Sequence, residues 1–330
     1  MVNDVLIYKE YDYCRDKIKN WYYNGNERFL TIETIPFNLN IIFRDIILSI
    51  TKDKGKVLYI SGLAKAEVIQ DLSITDKSTN DQIIKGNLAI LLYSELYNIA
   101  DKYDLIICDD ISTFSKVSKD NLRCLLPKLE KLSDKIILYT PENIIRRGEK
   151  IEVTCIYHRI PFVEPRIMTT RIDLNKDIPN LLYEYILWFI DKNQKIIIYV
   201  PTNEKLETVY NYYKTKLKID NKMLYRISKK DDKTIINNVL KQKEMAIIIT
   251  DNIEANLKTS GNLNAIVLFA DNYRYTYKQF LYLCGEFGRI NKELPEFILV
   301  ARTVSCEMER VKSITSSYNK RKWERKSIDY

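Results

Sequence analysis

Two adjacent carboxylates, Asp109 and Asp110, close an apolar run in the stretch YDLIICDDISTFSK, residues 103–116. At the end of a buried strand, such a pair can hold Mg²⁺ with one carboxylate and orient water with the other, the chemistry of nucleotide hydrolysis. The same pair can instead cap the turn after the strand, a role that needs no ligand. Phosphate chemistry also requires glycines, whose backbone N–H groups wrap the phosphates, and a lysine for the β/γ charge. The chain has eight glycines in 330 residues, and none falls in G-x-x-x-x-G-K-[ST]. Gly55-Lys56 is the sole Gly-Lys pair; Ile50 stands where the first glycine would be and Val57 replaces the Ser or Thr.

Other catalytic chemistries are poorly supplied. His158 is the single histidine, so a Ser-His-Asp triad or a His-based metal site has little basis, and a hydrogen-bonded histidine near a domain boundary is expected. Six cysteines (Cys14, Cys108, Cys124, Cys155, Cys284, Cys306) are scattered with no C-x-x-C pair, which argues for reduced thiols and against a zinc ribbon or disulfide framework. The 52 basic and 44 acidic residues leave a formal charge of +8, a surplus that favours polyanionic partners without identifying one. No apolar run reaches the roughly 18 residues of a membrane span. The N-terminal MVNDVLIYKEYDY lacks a basic-then-apolar signal pattern, so a cytoplasmic location is expected.

The elements that must position the acidic pair follow from hydrophobic periodicity. From Lys56 onward, short β-branched runs alternate with amphipathic stretches: strands at 56–61, 87–93, 103–108 and 135–140, helices at 65–72 and 121–132. Continuous apolar strands separated by helices imply a parallel sheet covered on both faces. The proline-dotted HRIPFVEPRIMTT (158–170) interrupts the rhythm and reads as a linker. The pattern then restarts, with Asp177 as the cap of a helix through 179–192 and Pro179 in its first turn. Strands at 195–201, 223–227, 245–250, 264–270 and 296–301 follow, with a helix at 204–216. The fold class is therefore α/β, two lobes in tandem. The tail SYNKRKWERKSIDY is basic with Tyr318 and Trp323 interleaved.

Two tandem lobes with an acidic pair ending a first-lobe strand resemble the RecA-like core of a superfamily-2 helicase. The likeness narrows at TDNIEANLKTSGNLNAIVLFAD (250–271), which is similar to the stretch T-T-x-I-L-E-R-G-V-T-F-P-N-V-D-V-I-V-L-x-A-D of ComFA. ComFA is the ATPase of bacterial DNA uptake during competence and a relative of the PriA helicases. YTYKQFLYLCGEFGR (275–289) resembles that family's F-T-E-x-A-L-x-Q-I-A-G-R-V-G-R, and EMERVKSITSSYN (307–319) its closing helix. In the first lobe, YDLIICDDISTF resembles F-D-L-L-I-I-D-E-V-D-A-F, LYTP (138–141) sits where L-T-A-T-P would, and CIYHRIPFVEP looks like the boundary segment. The resemblance implies RecA-like lobes at 30–165 and 166–330, the second ending in a basic helix. Residues 1–29 are then a remnant of the family's zinc-binding region, with Cys14 its one cysteine and no metal expected.

The departures all run toward loss of the ATP site. The family's G-A-G-K-T-E falls on IPFNLN (35–40), so Asn38 stands for the lysine and Leu39 for the Mg²⁺-binding threonine. D-E-V-D has become Asp109-Asp110-Ile111-Ser112, and in G-R-V-G-R the first arginine is Glu286 while Arg289 matches the second. The Arg-Gly pair before the strand at 264–270 has become Asn256-Leu257. Because phosphoryl transfer is nearly all positioning and charge stabilisation, the expectation is a degenerate helicase homologue without productive ATP turnover and with no cofactor. It would bind single-stranded DNA or competence and recombination proteins. By resemblance, DNA contacts fall near Ser61-Gly62, Pro201-Thr202-Asn203 and Thr250. Lys320, Arg321, Lys322 and Trp323, with Tyr318, offer phosphate neutralisation beside stacking surfaces, or form a solvated helix end. Trp21, Tyr22 and Tyr23 suit a small aromatic core or a stacking platform, and Arg289 suits a salt bridge or a residual phosphate contact. Two alternatives stand beside this reading: a working DNA-dependent ATPase with an unorthodox loop, taking ATP and Mg²⁺, and a protein-interaction scaffold that binds no DNA.

Overall fold

The computed structural model describes residues 2–36, 40–62, 68–69, 87–111, 117–153, 161–217, 219–220, 222–232, 234–255, 257–258 and 262–328. The chain divides into two compact units, Met1–Tyr157 and His158–Tyr330. The strands of the first are β1 (Phe29–Glu33), β2 (Val57–Ser61), β3 (Leu88–Leu92), β4 (Leu105–Asp109), β5 (Ile136–Thr140) and β6 (Glu149–Glu152). They pair in the order β3-β2-β4-β5-β1-β6, every pair parallel. One strand, β5, separates β1 from the strand that ends in Asp109, an arrangement of the RecA-like type.

Along β2, β4 and β5 every residue is buried, and successive side chains point to opposite faces of the sheet. Val57 and Tyr59 of β2 join one apolar cluster with Leu105, Ile107, Ile137 and Tyr139. Leu58 and Ile60 join another on the opposite face with Ile106, Cys108, Ile136 and Leu138. Helices α1 (Val2–Asn24) and α2 (Arg44–Lys52) contribute to the first cluster, and α3 (Lys119–Leu132) to the second. Ser118 caps α3, its side chain accepting from the Asn121 N–H at 3.0 Å.

Helix α1, within the expected N-terminal segment 1–29, was not legible as an element. Cys14, Ile18 and Trp21 recur at helical spacing and are fully buried against the first sheet's core. Tyr11 donates to the Ile41 carbonyl at 3.3 Å, and Arg15 and Lys19 both pair with Asp45 at the start of α2. At its C-terminal end, Lys135 Nζ donates to the carbonyls of Trp21 (2.9 Å), Gly25 (2.7 Å) and Glu27 (3.2 Å), satisfying acceptors that the helix leaves open. Of the three neighbouring aromatics, Trp21 is core, Tyr22 is half-buried, and exposed Tyr23 bonds Ser49 through its hydroxyl. Gly148, with φ +89°, lets the chain turn into β6 where a Cβ would meet the Phe29 carbonyl oxygen at 2.4 Å.

The second unit repeats the architecture with β7 (Arg166–Thr169), β8 (Lys195–Tyr199), β9 (Leu224–Ile227), β10 (Ile247–Thr250), β11 (Leu263–Leu268) and β12 (Phe297–Ala301). The order is β7-β12-β11-β8-β10-β9, again all parallel. Its helices are α4 (Asn180–Asp191), α5 (Asn203–Thr215), α6 (Thr234–Lys241), α7 (Tyr277–Ile290) and α8 (Cys306–Ile328). Among the described residues no helix is long and apolar enough to cross a membrane.

Two expectations are corrected here. The described part of the proline-dotted segment is no linker: Phe162 and Val163 are buried, and Arg166–Thr169 pairs with β12. Asn319 of α8 fastens it, accepting from the Phe162 N–H at 2.8 Å and donating to the Phe162 carbonyl at 2.8 Å. Asp177 does not cap α4; its carboxylate takes the Ile178 N–H and the Tyr212 hydroxyl, and Pro179 sits just before the first turn. The expected helix at 65–72, apart from 68–69, and His158 lie outside the described residues.

Because Trp21 is fully buried where α1 meets the sheet, Trp21→Ala should cost about 3–5 kcal/mol. Urea denaturation followed by far-UV circular dichroism measures it; a loss under about 1 kcal/mol would mean α1 is not part of the cooperative unit.

Candidate functional site

Asp109 is the last residue of β4 and is buried. Its Oδ2 accepts from the Tyr59 hydroxyl at 2.7 Å, and its Oδ1 accepts from the Ile111 N–H at 3.1 Å. The second bond spans two residues and is a turn cap. The first crosses to the adjacent strand β2, where Tyr59 lies in an edge-to-face aromatic group: Phe43 contacts the rings of Tyr59 and Tyr139 at centroid distances of 6.3 and 5.1 Å. Burial first, and then the Asp109 charge, push the Tyr59 hydroxyl far above its ordinary range, so it stays a proton donor.

Asp110 is also buried, and its N–H donates to the Tyr139 carbonyl at 2.9 Å. Its charge is felt on the opposite side of the sheet. Burial and then Asp110 raise the Tyr93 hydroxyl and the Cys108 thiol well above their usual values. The loop between β1 and α2 occupies the strand-to-helix position that a phosphate loop would take, but Asn38 and Leu39 lie outside the described residues.

In the second unit, Glu286 lies on α7 at 1% exposure, and Oε1 accepts from the Leu257 N–H at 2.9 Å. Leu257 is itself 1% exposed. Two departures that are 29 residues apart in the chain are therefore partners. The pair sets a carboxylate that accepts a backbone N–H beside a leucine that lies in the core. Among the described residues Glu286 Oε2 takes no hydrogen bond, nor do the buried hydroxyls of Tyr199 and Tyr275. Burial pushes the Glu286 carboxyl from 4.5 up to about 7, opposed by the Leu257 N–H and then by the Arg289 charge. Arg289 itself is exposed on the last turn of α7.

The residues expected to meet DNA differ in what they present. Ser61 and Thr250 are the last residues of β2 and β10 and are fully buried, and Thr250 Oγ1 accepts from the Asn252 N–H at 3.0 Å. Thr202 caps α5 by accepting from the Lys205 N–H at 3.2 Å, and Asn203 and Gly62 are exposed. On α8, Tyr318 is buried against Phe162 with centroids 5.7 Å apart, so it is core and no stacking surface. Trp323 is 71% exposed. Lys320 is exposed and lies 4.0 Å from Glu324, while Arg321 and Lys322 are half-buried. Nothing in the spacing marked Tyr59 or the Glu286–Leu257 pair. The one available signal was that Glu286 and Leu257 both depart from the same pattern. Among the described residues no three His, Cys, Asp or Glu side chains gather in a way that could hold a metal ion.

No family model matches the chain, and no curated protein does. Among solved structures, one of RecG bound to a three-way DNA junction is similar over 93% of this chain and 44% of that one, at 14% identity and a TM-score of 0.48. The chain thus spans less than half of that protein's length.

Two outcomes follow from these contacts. Tyr59→Phe leaves Asp109 Oδ2 buried without that donor, and should cost about 1–3 kcal/mol in urea denaturation; a neutral result would mean the bond is dispensable. For Glu286, the folded state keeps a proton that the unfolded chain has released between about pH 4.5 and 7. Stability should therefore fall as pH rises through that window and level off above it, by on the order of 3 kcal/mol. Glu286→Gln should flatten this profile, and an unchanged profile would assign the titration elsewhere.

Proposed function

We propose that this chain is a nucleic-acid-binding relative of the ComFA-like helicases that keeps both RecA-like lobes without productive ATP turnover. The observation that carries the reading is Glu286. At a position where phosphate charge would be neutralised stands a buried carboxylate engaged by the backbone of Leu257. Asp109 supports it, since each of its oxygens already accepts a protein donor. The residues present do not suit a Mg²⁺–nucleotide: the acid that would take the metal is tied to Tyr59, and the sequence offers neither a phosphate-loop lysine nor its threonine. The nucleic-acid part rests on the basic end of α8, where Lys320 and Trp323 are exposed together. Phosphate neutralisation beside a stacking ring holds single strands without reading sequence. DNA uptake or recombination is the setting that the resemblance suggests.

A second reading, a scaffold for other proteins of the same process, is favoured by α4. Leu181 (54%), Leu187 (45%) and Trp188 (45%) are all substantially exposed there, more apolar surface than one short helix ordinarily shows to water.

Fluorescence anisotropy with labelled single-stranded DNA, at two salt concentrations and with or without Mg²⁺–ATP, separates these readings. Binding should weaken steeply with salt and ignore ATP, and Asp109→Asn should leave affinity unchanged. Lys320→Glu should weaken binding uniformly across sequences and lower the salt slope by about 1. Binding altered by ATP, or phosphate release stimulated by DNA, would restore a working ATPase; no binding at either salt would leave the scaffold.

A further inference from the structure

The buried polar group around Glu286 has a consequence independent of any nucleic acid. Glu286 Oε1 accepts from the Leu257 N–H, and this bond joins the core side of α7 to a residue that follows β10 and is itself buried. Two elements bring titratable or charged groups to the carboxyl. From β8 comes Tyr199, whose hydroxyl is raised first by burial, then by the Glu286 charge and then by Tyr275 in the turn before α7. Tyr275 is itself buried and under the influence of Asp251. From α7, nearly one turn further on, the Arg289 charge acts on the carboxyl. Among the described residues neither tyrosine hydroxyl makes a hydrogen bond to Glu286 Oε2, so an ionised carboxylate there has one backbone donor and the Arg289 charge in place of water. A carboxylate so placed favours its neutral form.

We propose that Glu286 is a proton-coupled latch on Leu257: while Leu257 is docked the carboxyl is sequestered and retains its proton, and undocking hydrates the carboxyl and releases that proton. The latch is accordingly firm below neutral pH and looser above it. Burial, the larger effect, outweighs the Leu257 N–H, which by itself favours the ionised form, and so sets the direction. In the docked state the carboxyl titrates near about 7, and once hydrated it returns to the ordinary 4.5. Across that interval each undocking event frees one proton, so undocking becomes about tenfold easier per pH unit. Above it both states are ionised and the dependence ends. Two features limit the event to this contact. The neighbouring Lys258 N–H is held separately, by Asn237 Oδ1 at 2.6 Å, and Thr250 holds Asn252 on the other side.

The test is amide hydrogen exchange at Leu257 in the free full-length chain, corrected for intrinsic exchange and expressed as a protection factor. Wild-type protection should fall about tenfold per unit between roughly pH 5.5 and 7 and flatten above, while amides of α8 keep theirs. Glu286→Gln retains an Oε1 that accepts from Leu257 but cannot titrate, so its protection should be independent of pH. A flat wild-type profile, or a Glu286→Gln profile with the wild-type slope, would overturn the proposal. Should Glu286→Gln fail to fold, difference infrared spectroscopy of the wild type decides: a protonated-carboxyl band present at about pH 6 and gone by about pH 8 sustains the latch, and its absence at about pH 6 ends it. Neither readout involves DNA, so failure here leaves the nucleic-acid reading to its own measurement.

Discussion

An internal parallel strand has its backbone paired on both sides and both its faces covered, so polar side chains have a place only where the strand ends. In β2, β4, β5 and β10 every residue is buried, and the last residue of each is polar: Ser61, Asp109, Thr140 and Thr250. Each of these is itself buried. A buried polar group needs a partner, and here partners come from the fold. Asp109 takes Tyr59 and Ile111, Thr140 donates to the Glu142 carbonyl, and Thr250 takes Asn252. At these strand ends the buried side chains are engaged by internal bonds.

The second unit buries a polar pair of its own. An arginine at position 286 could not accept a backbone N–H, and a glycine at 257 would place no side chain in the core. With Glu286 and Leu257 both conditions change together: the carboxylate takes the N–H, and the leucine fills apolar space. The exchange is not free of strain. A carboxyl with one backbone donor and an unbonded second oxygen is held in a region that favours its neutral form.

The ends of the chain show how much of a small unit's stability lies outside its sheet. Helix α1 adds Cys14, Ile18 and Trp21 to the first core and braces α2 through Asp45. Helix α8 is fastened to the start of its own unit by Asn319 and by Tyr318 against Phe162. Beyond that anchor the helix turns polar, with Lys320 and Trp323 left to the solvent. Tyr318 and Trp323 are five residues apart and equally aromatic, yet one is core and the other surface.

The sequence by itself determined the strands from β2 onward, apart from the short β6 and β7, together with α3, α4 and most of α5, because continuous β-branched runs and 3.6-residue periodicity are local patterns that burial then uses directly. It also determined that no G-x-x-x-x-G-K-[ST] stretch is present, since that is read from residue order alone. Helix α1 was hidden because Cys14, Ile18 and Trp21, which carry its described buried face, stand in a polar, tyrosine-rich stretch, and β7 because prolines beside it read as a linker. What only tertiary structure decided are the partners. Tyr59 lies 50 residues from Asp109 and Leu257 lies 29 from Glu286, so no spacing rule connects them. Asp177 shows the same limit at short range: a sound capping residue by type, it went to Tyr212 because a hydroxyl on α5 was in reach. Local periodicity sets the elements, whereas the satisfaction of buried polar groups is settled by whichever donor the packed chain brings near.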